Sequence, residues 1–330
     1  MDYSLIICTH NPDVRILLRC FSAVAALITE GLTTEVIVVD NNSPVPVASI
    51  PDLKPYLHSP GWRLLNEERQ GVQFARMTAI RNARGKHIVY IDSDNEPAPD
   101  YLLKADQLVR EYPQVGAWGP GVVNVDLIDG ISPELEDYAR GAFQQRKETE
   151  PRFALTDEWQ SCYPFGTGLC IRAEVLHQYV KLADQGRFTM EGRSGQKLSS
   201  GEDTQMVLLC IKMGYAAGVS PQLKLTHIIP AARANAGYLR RLAYGTSLCY
   251  ASCLTQVFPE KRQLIRKQKM PQRRLVRKSL KKWIRLAFNN DAHRSFELAF
   301  FIGNNCSNYI ALGEPIPLVV RFIIRRLKLE

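Results

Sequence analysis

Short apolar, β-rich runs recur through the first third of the chain, and three of them stop abruptly on polar turns. Leu5–Cys8 runs into Thr9-His10-Asn11-Pro12, Val36–Val39 into Asp40-Asn41-Asn42-Ser43, and His87–Ile91 into Asp92-Ser93-Asp94-Asn95. Weaker runs of the same kind are Arg63–Leu65 and Val115–Trp118. Between the first two lies a stretch from Pro12 to about Thr29 with apolar residues on a broad face, and Asn11-Pro12 suits a helix start. Strand, helix and strand joined by short connections predict an α/β fold with a doubly wound, mostly parallel, Rossmann-like sheet. Such sheets bind ligands outside the carboxyl ends of their strands. Asn, Asp and Ser also favour turns for local reasons, but three such turns on one predicted edge point to a site.

Two carboxylate pairs carry the candidate chemistry. Asp92 and Asp94 follow a buried run at i and i+2, a placement from which a divalent cation can bridge carboxylate and phosphate oxygens. Glu202 and Asp203 open a helix expected over about 202–213. Acids are favoured in any first helical turn; the functional reading is a general base that takes a hydroxyl proton. Between the pairs, Gly166-Thr167-Gly168 permits close backbone approach to a ligand or tight strand packing. His227 is either a core histidine or, with Asp94, part of a mixed oxygen–nitrogen site suited to Mn²⁺ or Mg²⁺. Trp118, Trp159 and Tyr163 are aromatic candidates for stacking on sugar rings, or for plain packing. The polar, glycine-rich stretch 186–201 suits a loop over a site.

These pieces, taken in order, resemble the family 2 glycosyltransferases. The resemblance runs over about residues 3–245: Thr9-His10-Asn11, Asp40-Asn41-Asn42-Ser43, Gln70-Gly71, Ala75-Arg76, Ala83-Arg84-Gly85, Asp92-Ser93-Asp94 with Pro97 and Pro99-Asp100, Gly166-Thr167-Gly168, Glu202-Asp203 and His227. Met77 stands where the family usually has an asparagine. The resemblance implies a GT-A-type domain over 1–245, with a nucleotide-binding half to about 120 and an acceptor half beyond it. It further implies that Thr9, Asn11, Asp40, Asn42, Arg76, Asp92 and Ser93 line a nucleotide pocket. Asp94, His227 and Asp92 are the implied metal site for Mn²⁺ or Mg²⁺. Asp203 is the implied catalytic base with Glu202 in support, and Trp118, Tyr163, Gly166 and Gly168 lie toward the acceptor sugar. The implied reaction is inverting transfer from a nucleotide-sugar, a UDP-sugar by family resemblance, to a hydroxyl of a saccharide or lipid-linked acceptor in surface polysaccharide or glycolipid assembly.

The net charge of +9 is localised. Residues 260–285 carry 12 Lys/Arg against one Glu, and the remaining residues sum to −2. Within 246–330, a helical basic appendage is expected. Val276, Leu280, Trp283, Ile284 and Ala287 fall on one helical stripe among Arg and Lys, and Pro317–Leu329 repeats the combination. Segment 260–329 therefore reads as a surface for an anionic membrane leaflet, or as a helical appendage packed on the domain. A nucleic-acid reading of the same charge lacks any recognised module and interleaved aromatics beyond Trp283. A nucleotide-binding protein without catalysis is the other alternative. The eight cysteines form no CxxC pair and read as reduced thiols in a cytoplasmic protein. The N-terminus enters a strand pattern without signal-peptide character, and no apolar run is long enough to span a bilayer.

Overall fold

The computed structural model describes residues 1–190, 192, 198–288 and 291–330. Its strands are β1 (Tyr3–Thr9), β2 (Thr34–Asp40), β3 (Trp62–Asn66), β4 (His87–Tyr90), β5 (Asn95–Pro97), β6 (Val115–Leu127), β7 (Arg146–Lys147), β8 (Arg152–Ala154), β9 (Cys170–Arg172) and β10 (Ala216–Ile229). The helices between them are α1 (Val14–Ala25), α2 (Lys54–Leu57), α3 (Val72–Asn82), α4 (Tyr101–Glu111), α5 (Pro133–Ala142), α6 (Ala173–Asp184) and α7 (Glu202–Lys212). Six more close the chain: α8 (Ala236–Ser247), α9 (Tyr250–Val257), α10 (Arg262–Gln268), α11 (Gln272–Phe288), α12 (Ala292–Leu312) and α13 (Leu318–Arg326).

One sheet organises the molecule, in the order β3-β2-β1-β4-β9-β6-β10-β5. β1 to β4 run parallel, β9 is antiparallel to both β4 and β6, and β6 and β10 are again parallel. The expected doubly wound, mostly parallel α/β sheet with a helical C-terminal region is thus present. Near-continuous apolar composition in β1 and β2 reflects burial on both faces, where Ile7 and Val38 are wholly enclosed. α1 buries Ile16, Leu17, Cys20, Phe21 and Val24, spaced as one helical face, and its N-cap is Asp13 rather than Asn11. Asp13 accepts from the Arg15 backbone N–H, while Asn11 takes a left-handed φ of 45° in the turn before it.

Two elements differ from expectation. β6 runs on to Leu127, far beyond Trp118. β10 was not anticipated, because Ser220, Pro221, Gln222 and Lys224 break its apolar alternation. The pairing register with β6 shifts between Ser220 and Lys224, which accommodates a proline that has no ladder N–H. Of the glycine-rich stretch 186–201, residues 191 and 193–197 lie outside the described residues; its described part carries no strand, and no helix beyond the turn closing α6.

The expected division at residue 245 falls inside α8, and packing crosses it: Cys253, Leu254 and Ile265 share one core with Ile6, Ile88 and Met206. α11 packs with a rotation of one residue from the expected stripe. Leu275, Ser279 and Leu286 are its buried positions, Val276, Leu280 and Trp283 are half-buried beside them, and Ile284 faces out. Among the described residues no helix is long and apolar enough to cross a membrane.

His87, at the start of β4, stacks on Tyr3 with ring centroids 5.5 Å apart, and its Nε2 is buried without a hydrogen-bond partner. Burial, helped by the nearby Arg172, pushes its pKa down from 6.5 to about 4. Between those values the unfolded chain binds a proton that the native state refuses, so stability falls as pH falls. Unfolding free energy should drop by about 2 kcal/mol from this residue between pH 7.5 and pH 5. Urea titrations of the wild type and His87→Phe at both pH values check this, the variant losing that part of the pH dependence.

Candidate active site

The carboxyl ends of β1, β2 and β4, with the amino end of antiparallel β9, open on one side of the sheet. After β4 the chain turns sharply: the Asn95 backbone N–H donates to the Asp92 carbonyl at 2.9 Å, and the Asp92 N–H donates to Asn95 Oδ1 at 3.2 Å. The Asn95 amide also donates to Asp94 Oδ1 at 3.0 Å, and the Ile228 N–H donates to the Asp94 carbonyl at 2.8 Å. These bonds set Asp94 beside His227 of β10.

His227 Nδ1 lies 3.0 Å from the Phe143 carbonyl, which can only accept, so Nδ1 carries a proton. Nε2 then faces Asp94 Oδ2 at 3.4 Å, so a ring nitrogen and a carboxylate oxygen converge. Arg233 supplies positive charge to the same carboxylate, and its guanidinium lies 5.2 Å from the Phe143 ring centre. Burial pushes the Asp94 carboxyl upward, but His227 and Arg233 outweigh it and hold the group well below the usual carboxylate range. An anchored imidazole and a carboxylate oxygen converging on one point fit Mn²⁺ or Mg²⁺. Among the described residues no cluster of three or more acidic, histidine or cysteine side chains surrounds such a point. Any cation held here would thus complete its coordination with phosphate oxygens and water.

Asp92, expected in both the nucleotide pocket and the metal site, borders the cavity and is tied to Arg76. Its Oδ1 accepts from Arg76 at 2.9 Å, and Arg76 also donates to Glu202 Oε1 at 2.9 Å. Arg76 therefore bridges the β4 turn and the start of α7 and lies over the Tyr90 ring, rather than pointing freely at a nucleotide. Burial disfavours the Arg76 charge, yet Asp92 and Glu202 hold it more firmly protonated than usual. Glu202 is pushed up by burial, against the pull of Arg76 and with the repulsion of Asp203.

Asp203, next along α7, is only half-buried and faces open space. Its Oδ2 accepts from the Gly166 N–H at 2.9 Å and its Oδ1 from the Thr204 N–H at 2.7 Å. A side chain at Gly166 would lie 3.0 Å from an Arg76 nitrogen and 3.4 Å from Asp203 Cβ, so glycine is what lets these groups converge. One cavity of about 560 Å³ is bordered by Asp92, Ser93, Asp94, His227 and Arg233 as well as by Arg76, Gly166, Glu202 and Asp203.

Thr9 and Asp40 lie side by side at the ends of β1 and β2, in register, along the same sheet edge but outside that cavity's lining. Asp40 is buried, its oxygens accepting from the Ser43 and Val47 N–H groups at 3.0 and 2.8 Å. Asn42, like Asn11, takes a left-handed φ, here 58°, in the adjoining turn. Thr9 Oγ1 is buried with no partner.

Three acceptor-side expectations need correction. Trp118 is 1% exposed and packs edge-on against Tyr112 and Phe153, because β6 turns that side chain into the core. Tyr163 is fully buried and donates to the Thr156 carbonyl at 2.6 Å. Gly168, at φ +68°, is packed against Leu225 and Tyr101, where a Cβ would clash at 2.5 Å. Trp159 is half-buried among Tyr163, Phe165 and Tyr250. Met77 is core. Residues that the sequence did not single out include Arg233, Phe165, Gln144, Arg146 and Thr246, all bordering the cavity. Arg233 sits in a turn six residues past His227, and no local pattern marks it.

Residues 4–179 match the family model described as Glycosyl transferase family 2, so Glu202, Asp203 and His227 lie beyond the matched segment. A succinoglycan biosynthesis protein, ExoO, of Rhizobium meliloti is 28% identical over 73% of this chain and 69% of its own length. An N-acetylglucosaminyltransferase of Sinorhizobium fredii is 25% identical over 72% of this chain, which spans about half (54%) of that relative. A crystal structure of S. aureus TarS 1-349 in complex with UDP-GlcNAc aligns at a TM-score of 0.45 and 14% identity, covering 96% of this chain and 93% of that one.

Removing the Arg76 charge leaves Glu202 buried and uncompensated. Arg76→Met should therefore lower unfolding free energy by about 3–5 kcal/mol. Adding Glu202→Gln should recover a substantial part, read by urea denaturation of the single and double variants.

Proposed function

The chain belongs to glycosyl transferase family 2, and on that premise we propose that it is an inverting, metal-dependent enzyme that uses a UDP-sugar. The observation that carries this reading is the single cavity that Asp94, His227 and Arg233 share with Asp203. An oxygen- and nitrogen-bearing cluster that can take a divalent cation beside Arg233 suits an anionic diphosphate, and a half-buried carboxylate on the same cavity suits a hydroxyl that must lose its proton.

In this reading Asp203 accepts the acceptor hydroxyl's proton as that oxygen attacks the anomeric carbon, and the Gly166 and Thr204 N–H groups fix the carboxylate's orientation. Glu202 acts through Arg76: tied to it and to the Gly201 N–H at 3.1 Å, it positions the start of α7 and is not itself the base. Asp94 and His227 would hold the divalent cation, which supplies positive charge beside the diphosphate. Arg233 adds a permanent cation at that end of the cavity. Thr9, Asn11, Asp40 and Asn42 lie along the neighbouring strand ends, where the nucleoside would extend, and Ser93 borders the cavity between the two regions.

The relatives' names support a role in assembling a polysaccharide, with an N-acetylhexosaminyl or hexosyl donor and a saccharide or lipid-linked acceptor. Chemistry of that kind on a lipid-linked acceptor would place the enzyme peripherally at the cytoplasmic face of a membrane. Nucleotide binding without catalysis is less well supported, because a non-catalytic site has no need of a cavity-facing Asp203 held by two backbone N–H groups.

Thermal unfolding with UDP-, GDP- and dTDP-sugars in Mn²⁺, Mg²⁺ or EDTA tests the donor site. UDP-sugar should stabilise the fold only with metal, and Asp94→Ala should abolish that response; stabilisation equal in EDTA would remove the metal from the reading. Asp203→Asn should lower turnover by about 10²–10⁴-fold while keeping the donor-induced shift. Normal turnover in that variant would assign the base elsewhere, and a product retaining the donor's anomeric configuration would exclude direct displacement.

A further inference from the structure

α11 and α13 lie side by side, joined by Trp283 and Phe322, whose rings meet edge-on at 5.8 Å. Each turns its buried face inward: Leu275 and Leu286 from α11, and Val320, Ile323 and Ile324 from α13, share one core with Ile302 and Cys306 of α12. Their outward faces combine two properties that rarely coexist in water. On α11, Arg277, Lys281, Ile284 and Phe288 follow one another at i, i+4, i+7 and i+11, so they form one stripe. On α13, Leu318, Phe322 and Arg325 do the same at i, i+4 and i+7. The apolar members are strongly exposed, Ile284 at 49%, Phe288 at 89%, Leu318 at 74% and Phe322 at 47%.

The charge is one-sided. α11 carries seven Lys/Arg and α13 three, and neither contains an acidic residue. Among the described residues, the one ion pair made by α11 is Lys282 with Glu297, at 3.8 Å.

We propose that the joined outer faces of α11 and α13 dock on an anionic lipid bilayer, the basic side chains at the headgroups and Ile284, Phe288, Leu318 and Phe322 in the acyl boundary. A second copy of this chain does not fit, since apposing the same face would bring like charges together. A nucleic-acid backbone would satisfy the cations but leave four large apolar side chains against water. A bilayer interface takes both kinds of group at once. Docking would also fix the cavity's position: α12, which carries both helices, packs along α8, and α8 contributes Leu242 and Thr246 to the cavity wall. The proposal deepens the transfer reading, resting on its peripheral membrane placement and naming the surface and lipid charge that serve it.

Co-sedimentation of the full chain with vesicles of phosphatidylcholine, alone or mixed with phosphatidylglycerol, tests it. Binding should require phosphatidylglycerol and weaken as salt rises. R277Q/K281Q/R285Q should lower the partition coefficient roughly 100-fold, at about five-fold per charge. I284S/F288S/L318S should lower it at least about 10-fold with charge unchanged. All substituted residues are solvent-facing, and thermal unfolding should match the wild type in both variants. Equal binding to phosphatidylcholine alone, or variants that bind like the wild type, would overturn this surface. Salt-dependent binding to duplex RNA without any vesicle binding would overturn the bilayer in favour of nucleic acid. A donor-induced thermal shift measured on the same protein reads the transfer chemistry separately, so vesicle binding without that shift would sink the chemistry and leave the surface standing.

Discussion

A guanidinium withdrawn from water is tolerable only if carboxylates meet it, and Arg76 meets two. Its side chain is 6% exposed, with Asp92 on one nitrogen and Glu202 on another. Asp92 belongs to the turn after β4, and Glu202 opens α7, more than a hundred residues later. The pairing therefore locks a sheet edge to a helix start, and the cavity exists between them. Buried ion pairs are weak sources of net stability but costly to break on one side. That asymmetry suits a scaffold whose two walls must keep one spacing. It also separates two adjacent acids: Glu202 is consumed by the lock, and Asp203 is left facing the cavity.

At the other end of the cavity the electrostatics run the opposite way. Asp94 is enclosed and must have positive charge near it, and Arg233 and His227 provide it. His227 is held by the Phe143 carbonyl, so its free ring nitrogen has one direction to point. In that cluster one guanidinium balances one carboxylate, and an imidazole nitrogen stands beside them. The cavity thus has Arg233 and His227 around Asp94 at its β4–β10 end, and Glu202 and Asp203 at its α7 end.

The parts legible in the sequence were those where composition and position coincide. β1, β2 and β4 are buried on both faces, so their apolar runs stand out, and the Asp and Asn residues after them mark the strand ends directly. Asp94 was found by that route and Glu202 and Asp203 as acids opening an expected helix, while His227 was a separate candidate; all four border the cavity. β10 was hidden because Pro221 and its polar neighbours occupy a register shift, where alternation fails. Trp118 and Tyr163 were misread for a different reason: an aromatic residue carries no sign of which sheet face it occupies until its neighbours are fixed. Arg233 was invisible because an arginine in a turn looks the same whether it meets solvent or a buried carboxylate. The same limit applied to Arg76, whose motif indicated the pocket but not its bridging of Asp92 and Glu202.

The C-terminal helices show why a stripe read from sequence can be right in kind and off by one residue in placement. α11 has apolar residues on two adjacent lines, Leu275 and Leu286 on one, Val276, Leu280, Trp283 and Ala287 on the other. Packing against α12 selects the first line, because α13 covers the flank of the second. The rotation has a consequence at the surface. It leaves Ile284 outward among Arg277, Lys281 and Arg285, where burial of the expected stripe would have hidden it. Phe288, four residues on, extends the same line. An apolar side chain exposed by a packing choice, on helices free of acidic residues, is a surface feature specified by the core beneath it. Because that core is continuous through α12 with the wall of the cavity, the outer face and the cavity share one frame.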